Sequence, residues 1–239
     1  MMTRTDYAYQ QIKNWLLNGN LKPGETISSY KLAEVLKLSR TPVISALKRL
    51  EQEGYIEVIP QVGCMVKLPT VKEAREKFMI RAVLEGFAAE LAAYKRTDKD
   101  IEELKAIYEQ SIIVAQGSNP LEYAKWNKEF HLKIAQMANM DALMDLLEGF
   151  WENISFHAAS TDFLLERHAV SIKEHGQILS AIESGNSSKA RRFMETHLRK
   201  CTNDFCDSIA KFSRELNLEE SKTYKSSTDN LPSPEELSV

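Results

Sequence analysis

The chain has 239 residues, 43% hydrophobic and 27% charged, enough for one large core or two modest ones. Its net charge of −3 excludes a uniformly basic nucleic-acid binder, no apolar run approaches the ~18–20 residues of a membrane span, and the start Met-Met-Thr-Arg-Thr-Asp-Tyr lacks the apolar stretch of a secretory signal. Cys64, Cys201 and Cys206 are odd in number and fit no C-x-x-C spacing, which excludes a disulfide framework and a zinc ribbon and leaves a cytoplasmic chain with no membrane partner as the default.

The charge is uneven. Residues 1–70 carry nine basic and six acidic side chains, so this segment stands at +3 and the remainder at −6. A basic front on an acidic body suits a DNA-binding head attached to a body with another task.

In chain order, Thr5 to Asn18 reads as a helix with Tyr9, Ile12, Trp15 and Leu16 on one face. Asn18-Gly-Asn-Leu-Lys-Pro-Gly24 breaks it. Ser28 or Ser29 caps a second, short helix carrying Leu32, Val35 and Leu36. Ser39 caps a third, running through Leu47 and Leu50 to Glu53; Pro42 is tolerated in its first turn, and Gly54 ends it. Tyr55–Ile59 and Cys64–Leu68 are β-prone and flank Pro60-Gln-Val-Gly63, a hairpin signal. Three helices and a two-stranded wing predict a winged helix-turn-helix over 1–70, with Pro69-Thr70 as the boundary.

Beyond it the pattern is helical, near 72–95, 99–117, 120–138, 140–158, 162–184 and 187–218, separated by short breaks such as Gly117-Ser-Asn-Pro120 and Gly185-Asn186. The expected fold is mainly α: the winged head plus a C-terminal all-α antiparallel six-helix bundle over 71–218. Residues 219–239 are polar, contain Pro232 and Pro234, and read as a disordered tail.

Ser39-Arg40-Thr41-Pro42-Val43 opens the helix expected in the major groove, where the helix's own N–H groups favour phosphate. Arg40 suits guanine or a phosphate, and Thr41 a phosphate or a thymine methyl. Lys48 and Arg49 suit backbone contacts that set register. Gln61 and Gly63 stand at the wing tip, within reach of the adjacent minor groove. These residues, with Leu21-Lys-Pro-Gly24, Leu32-Ala33, Ala46-Leu47, Leu50-Glu51 and Glu53-Gly54, resemble the N-terminal domain of the GntR family of bacterial transcription regulators. The resemblance covers about residues 8–68 and implies an operator-binding homodimer on double-stranded DNA. The family usually carries Arg-Glu after this Pro-Val; Ile44-Ser45 stands here, so the operator need not be the family's usual one.

Residues 81–93, with Phe130-His131, Glu174-His175, Ala181-Ile182, Ala190 and His197-Leu198, resemble the ligand-binding (FCD-type) domain of the FadR branch, and six helices resemble its VanR-like subgroup. Spacing adds a separate argument. Asn127 and His131, at i,i+4, share a helix face. His175 lies ten residues before Gly185 and His197 twelve after it, so on an antiparallel hairpin both stand roughly 15–18 Å from the turn. Three imidazoles and a side-chain oxygen then converge, a donor set suited to a divalent transition metal such as Zn²⁺ or Ni²⁺. The resemblance implies an Asp with three His at this site; Asn127 holds the aspartate position and brings no charge. An organic acid would then complete the metal's coordination, with Arg81, at the matching family position, holding its carboxylate; a metal-free pocket that hydrogen-bonds an effector directly is the alternative.

Other residues read more plainly. Arg81 equally suits a pair with Glu85 on its own helix. Glu129 and Glu174 adjoin the ligands but point off the same helix face, leaving no general base beside the site. Trp126 and Trp151 read as core aromatics, His157 and His168 as structural or pocket-lining. Phe78, Leu84, Phe87 and Leu91 suit either a core stripe or a dimer seam. The expected function is a non-enzymatic, effector-controlled transcription regulator, a repressor. The alternatives are a regulator for which the ion is the signal and a metal-dependent hydrolase.

Overall fold

The computed structural model describes residues 2–59, 63–117, 119–159 and 163–220. The chain forms two compact units, one of Met1–Leu68 together with Phe212–Val239 and one of Pro69–Lys211. The tail expected to be disordered lies, from Ser221 on, outside the described residues.

In the N-terminal unit, α1 (Arg4–Leu17) begins with a capping box. Thr3 accepts from the Asp6 N–H, and the Asp6 carboxylate accepts from the Thr3 N–H. Tyr9, Ile12, Trp15 and Leu16 are buried, as their 3.6-residue spacing requires. α2 (Ser29–Val35) is capped by Ser28. α3 (Arg40–Gln52) buries Val43, Ala46, Leu47 and Leu50 and so turns Arg40, Thr41, Ile44, Ser45 and Lys48 outward. Ser39 is its N-cap residue but makes no side-chain cap hydrogen bond, contrary to expectation. Gly54, at φ +81°, ends the helix in a conformation that costs glycine little.

The wing is larger than expected. β2 (Ile56–Ile59) and β3 (Gly63–Val66) pair antiparallel, Ile56 opposite Val66 and Ile59 opposite Gly63. A two-residue strand, β1 (Thr26–Ile27), adds to the free edge of β3, giving the order β1-β3-β2. The sheet therefore has three strands.

The second unit contains α4 (Val71–Lys95), α5 (Asp98–Val114), α6 (Pro120–Met137), α7 (Asp141–Ala159), α8 (Phe163–Glu183) and most of α9 (Ser187–Glu220). Thr70/Glu73 and Thr97/Asp100 capping boxes start α4 and α5. Asn119 caps α6 ahead of Pro120 at its first position. α6 sits centrally, against α4, α5, α7 and α8. On α4 the buried face is mostly alanine, which lets neighbouring helices approach closely, yet Arg81 and Glu85 lie in the same buried stripe. Gly185, at φ +70°, makes the turn between α8 and α9. Among the described residues no helix is long and apolar enough to cross a membrane.

Candidate functional site: a reading face and a buried histidine centre

On the outward face of α3, the Arg40 guanidinium lies 3.6 Å from the centroid of the Tyr30 ring, and its Nη2 donates to Ser29 Oγ at 3.3 Å. Tyr30 is 66% exposed, so the stack stands on the surface. Sequence reasoning missed Tyr30; an exposed aromatic on α2 gains meaning only when α3 is seen beside it. Ser39, Thr41 and Lys48 are exposed on the same side. Arg49 differs. It sits at the flank of α3, 3.7 Å over the Tyr9 ring of α1, and pairs with Glu53 at 3.3 Å and Asp6 at 3.7 Å. Its geometry serves the α1–α3 packing first. Gly63 is exposed at the start of β3, and Gln61 lies outside the described residues.

The helical unit brings His131 of α6, His175 of α8 and His197 of α9 together. One ligand atom from each lies within 4.8 Å of the others, and all three rings are buried. The His175 and His197 Nε2 atoms are 3.3 Å apart. Two imidazole nitrogens bound to one ion at the usual zinc distance would stand about 3.0–3.4 Å apart, so this pair fits a metal without rearrangement.

Carboxylates orient two of the rings. Glu85 Oε2 meets His131 Nδ1 at 2.5 Å, while Glu85 Oε1 accepts from Arg81 Nε at 2.6 Å. Glu174 Oε2 meets His197 Nδ1 at 2.8 Å and also accepts from both terminal nitrogens of Arg167 at 3.0 Å. With each Nδ1 committed to a carboxylate, each Nε2 is left to face the centre, the arrangement that fixes metal-binding histidines. His175 is held differently, stacked on Phe130 at 4.4 Å with its Nδ1 unpartnered.

The electrostatics follow from burial and pairing. Burial pushes the Glu85 carboxyl up, but the Arg81 guanidinium and His131 outweigh it and hold the group at about 2. Burial also opposes the Glu174 charge, and His197, Lys200 and Arg167 bring it to about 2. Burial lowers His197 to about 4 and, with its neighbouring imidazoles, holds His175 well below its ordinary value. These two imidazoles are neutral at pH 7, the form that binds a metal.

The expectation that Glu174 points away from the site is corrected. It leaves its own helix face but reaches across the α8–α9 hairpin to His197. Tied to the Arg167 and Lys200 cations and to His197, and held at about 2, it is a weak base, which removes support from the hydrolase alternative.

Beside the triad is a small cavity of about 30 Å³. Arg81, Asn127, His131, His197, Trp151 and Arg167 line it. Asn127, the expected fourth ligand, and Arg81 thus share the cavity with the imidazoles. Arg81 also makes the alternative pair with Glu85, yet its Nη2 is buried without a partner. Trp151 is both core and lining: its ring is 3.8 Å from the Arg81 guanidinium and 4.9 Å from His131. Arg167 and Ser171, hydrogen-bonded at 3.0 Å, were not foreseen; Arg167, Ser171 and Glu174 at i,i+4,i+7 are their only sequence signal. His168 lies edge-on to Tyr123 at 5.9 Å. The His157 side chain lies outside the described residues. Phe78 is buried against Phe205 at 5.1 Å and belongs to the core, not to a dimer seam.

Residues 4–66 match the bacterial regulatory proteins of the gntR family, and residues 76–200 match the FCD domain. The chain is 31% identical over 208 residues to the Uxu operon regulator of Haemophilus influenzae, covering 79% of this chain and 77% of that one. It is 23% identical over 199 residues to the transcriptional repressor RspR of Escherichia coli, covering 80% and 84%. A GntR transcriptional regulator from Rhodococcus sp. RHA1 shares the fold with a TM-score of 0.74 at 18% identity, over 86% of this chain and 98% of that one.

Proposed function

The chain belongs to the gntR family of bacterial transcription regulators and carries an FCD domain, and from that premise we propose that it is a homodimeric repressor whose operator affinity answers to a small carboxylate held at a divalent metal. The observation that carries this reading is the buried triad of His131, His175 and His197 beside a polar cavity. A regulator needs no such group to read DNA, and burying it costs free energy unless something binds there.

On the head, Arg40 reads a base edge, with Ser39, Thr41 and the α3 N-terminal N–H groups on the backbone beside it. Lys48 adds a phosphate contact, and Gln61 and Gly63 approach the minor groove. In the helical unit, His131, His175 and His197 hold the ion, with Asn127 as a neutral fourth donor. Zn²⁺ and Ni²⁺ both suit this set. When bound, the ion would supply a Lewis-acid anchor for a carboxylate, and Arg81 would donate to the ligand's other end. The outward face of α4 supports a second copy as partner: Met79, Ile80, Val83 and Phe87 recur at helical spacing and are all exposed. A two-fold seam there presents two heads to a near-palindromic site. The repressor assignment draws support from the names of relatives, RspR among them.

The test is fluorescence anisotropy on a duplex selected from a random-sequence pool by the chain itself. Selection of a near-palindrome, with Arg40→Ala losing it, supports the reading; no DNA binding at low salt overturns it. The three imidazoles form a donor set for an ion by themselves, which favours the metal-sensing regulator as the second reading. A change of operator affinity on adding Zn²⁺ or Ni²⁺ alone would favour it.

A further inference from the structure

We propose that the ligand taken by this chain is a small dianion, a short dicarboxylate, and that Asn127 sets this requirement; the inference rests on the metal-and-carboxylate reading above. It comes from counting the charges around the cavity. Arg81 is matched by Glu85 and Arg167 by Glu174, each as a buried ion pair. The more exposed Lys200 and Asp204, which pair with Glu174 and Arg167, also cancel. Asn127 lines the cavity as a neutral amide. Histidines that bind a metal do so as neutral imidazoles.

The described residues around the cavity therefore sum to zero, and a divalent ion on the triad brings two uncompensated positive charges into a buried space. Isolated buried charge is costly, so the site gains most from a ligand that carries both negative charges. A carboxylate residue at position 127 would supply one of them and leave room for a monoanion. The amide supplies none.

A second observation points the same way. Arg81 is 1% exposed and lines the cavity, and its Nη2 has no hydrogen-bond partner. A ligand with one carboxylate on the ion and another on this nitrogen meets both needs. The cavity's size favours the shortest such molecules.

The experiment is isothermal titration calorimetry of the full-length chain loaded with Zn²⁺ at pH 7, using malonate and its half-amide, malonamate, which nearly match in shape but differ by one charge. Malonate should bind at least tenfold more tightly than the half-amide. In Asn127→Asp, Zn²⁺ alone should bind more tightly than in the wild type, and the malonate preference should shrink towards unity. Circular dichroism checks that this near-isosteric variant is folded, and Asn127→Ala, which keeps the site neutral, should retain the preference. Equal affinity of the two ligands in the wild type, or an undiminished preference in Asn127→Asp, overturns the inference while leaving the metal site intact. Failure of the wild type to take up Zn²⁺ overturns the underlying reading and this inference with it.

Discussion

The two units place their functional side chains in opposite environments. On the head, Arg40, Thr41 and Lys48 are exposed, and Arg40 leans on an exposed tyrosine. In the helical unit His131, His175, His197, Arg81 and Glu85 are all buried, and each carboxylate serves two or more partners. Surface groups can be changed with little effect on folding, so the head's specificity is free to vary at small cost in stability. In the bundle, the proposed recognition would draw on the same ion pairs as stability, so a substitution there should alter both.

This contrast can be broken at several points. The largest effect is expected at Glu85→Ala, which leaves Arg81 buried and unpaired and releases the His131 ring. It should cost about 3–5 kcal/mol in urea unfolding. A loss under about 1 kcal/mol would mean that the buried network is not what holds the unit together.

Acid should separate the units next. For metal-free protein, the His197 value falls from 6.5 to about 4 on folding. Its contribution is thus fully present above pH 6.5 and is lost as the pH falls towards 4, amounting to about 3 kcal/mol. Glu85 and Glu174, lowered from 4.5 to about 2, contribute stability above 4.5 that disappears as the pH falls towards 2. Unfolding free energy should therefore decline continuously from pH 6.5 to 2, and His197→Gln should flatten the upper part of that slope. A wild-type profile level between pH 6.5 and 4 would contradict the buried neutral imidazole.

On the head, Arg40→Ala should weaken binding to the selected duplex by about 1–3 kcal/mol and relax specificity at one base position, with the melting temperature unchanged. The smallest effect belongs to Tyr30→Ala. Losing the stack should cost about 0.5–1 kcal/mol of operator affinity, and Tyr30→Phe should keep most of it. Equal losses in both variants would assign the role to the hydroxyl instead of the ring.

How far the sequence was legible follows the same division. Helix limits were readable because caps and breakers act locally: Thr97, Asn119, Gly54 and Gly185 stand at the predicted joints. β1 was not, since Thr26-Ile27 is too short to show alternation and exists by pairing with Met65 and Cys64. The convergence of the histidines followed from distance along a helical hairpin, and the structure brings their rings together. Their carboxylate partners were harder to read. Glu174 was judged by the direction of its own helix, whereas its bond to His197 depends on the approach of α9. Glu85 was seen as a partner of Arg81 four residues away, but its second bond crosses to α6. Contacts between helices depend on crossing angles that no local pattern encodes.

The central claim is that occupancy of the buried centre changes what the head does on DNA. It is tested most directly by measuring operator affinity of Zn²⁺-loaded protein by anisotropy, with and without saturating malonate, in the wild type and in His131→Ala. The account predicts that malonate shifts wild-type affinity about 5–150-fold, the usual range of coupling between distinct sites, and leaves the variant unmoved. Wild-type affinity unchanged by malonate, or the same shift in the variant, would contradict it.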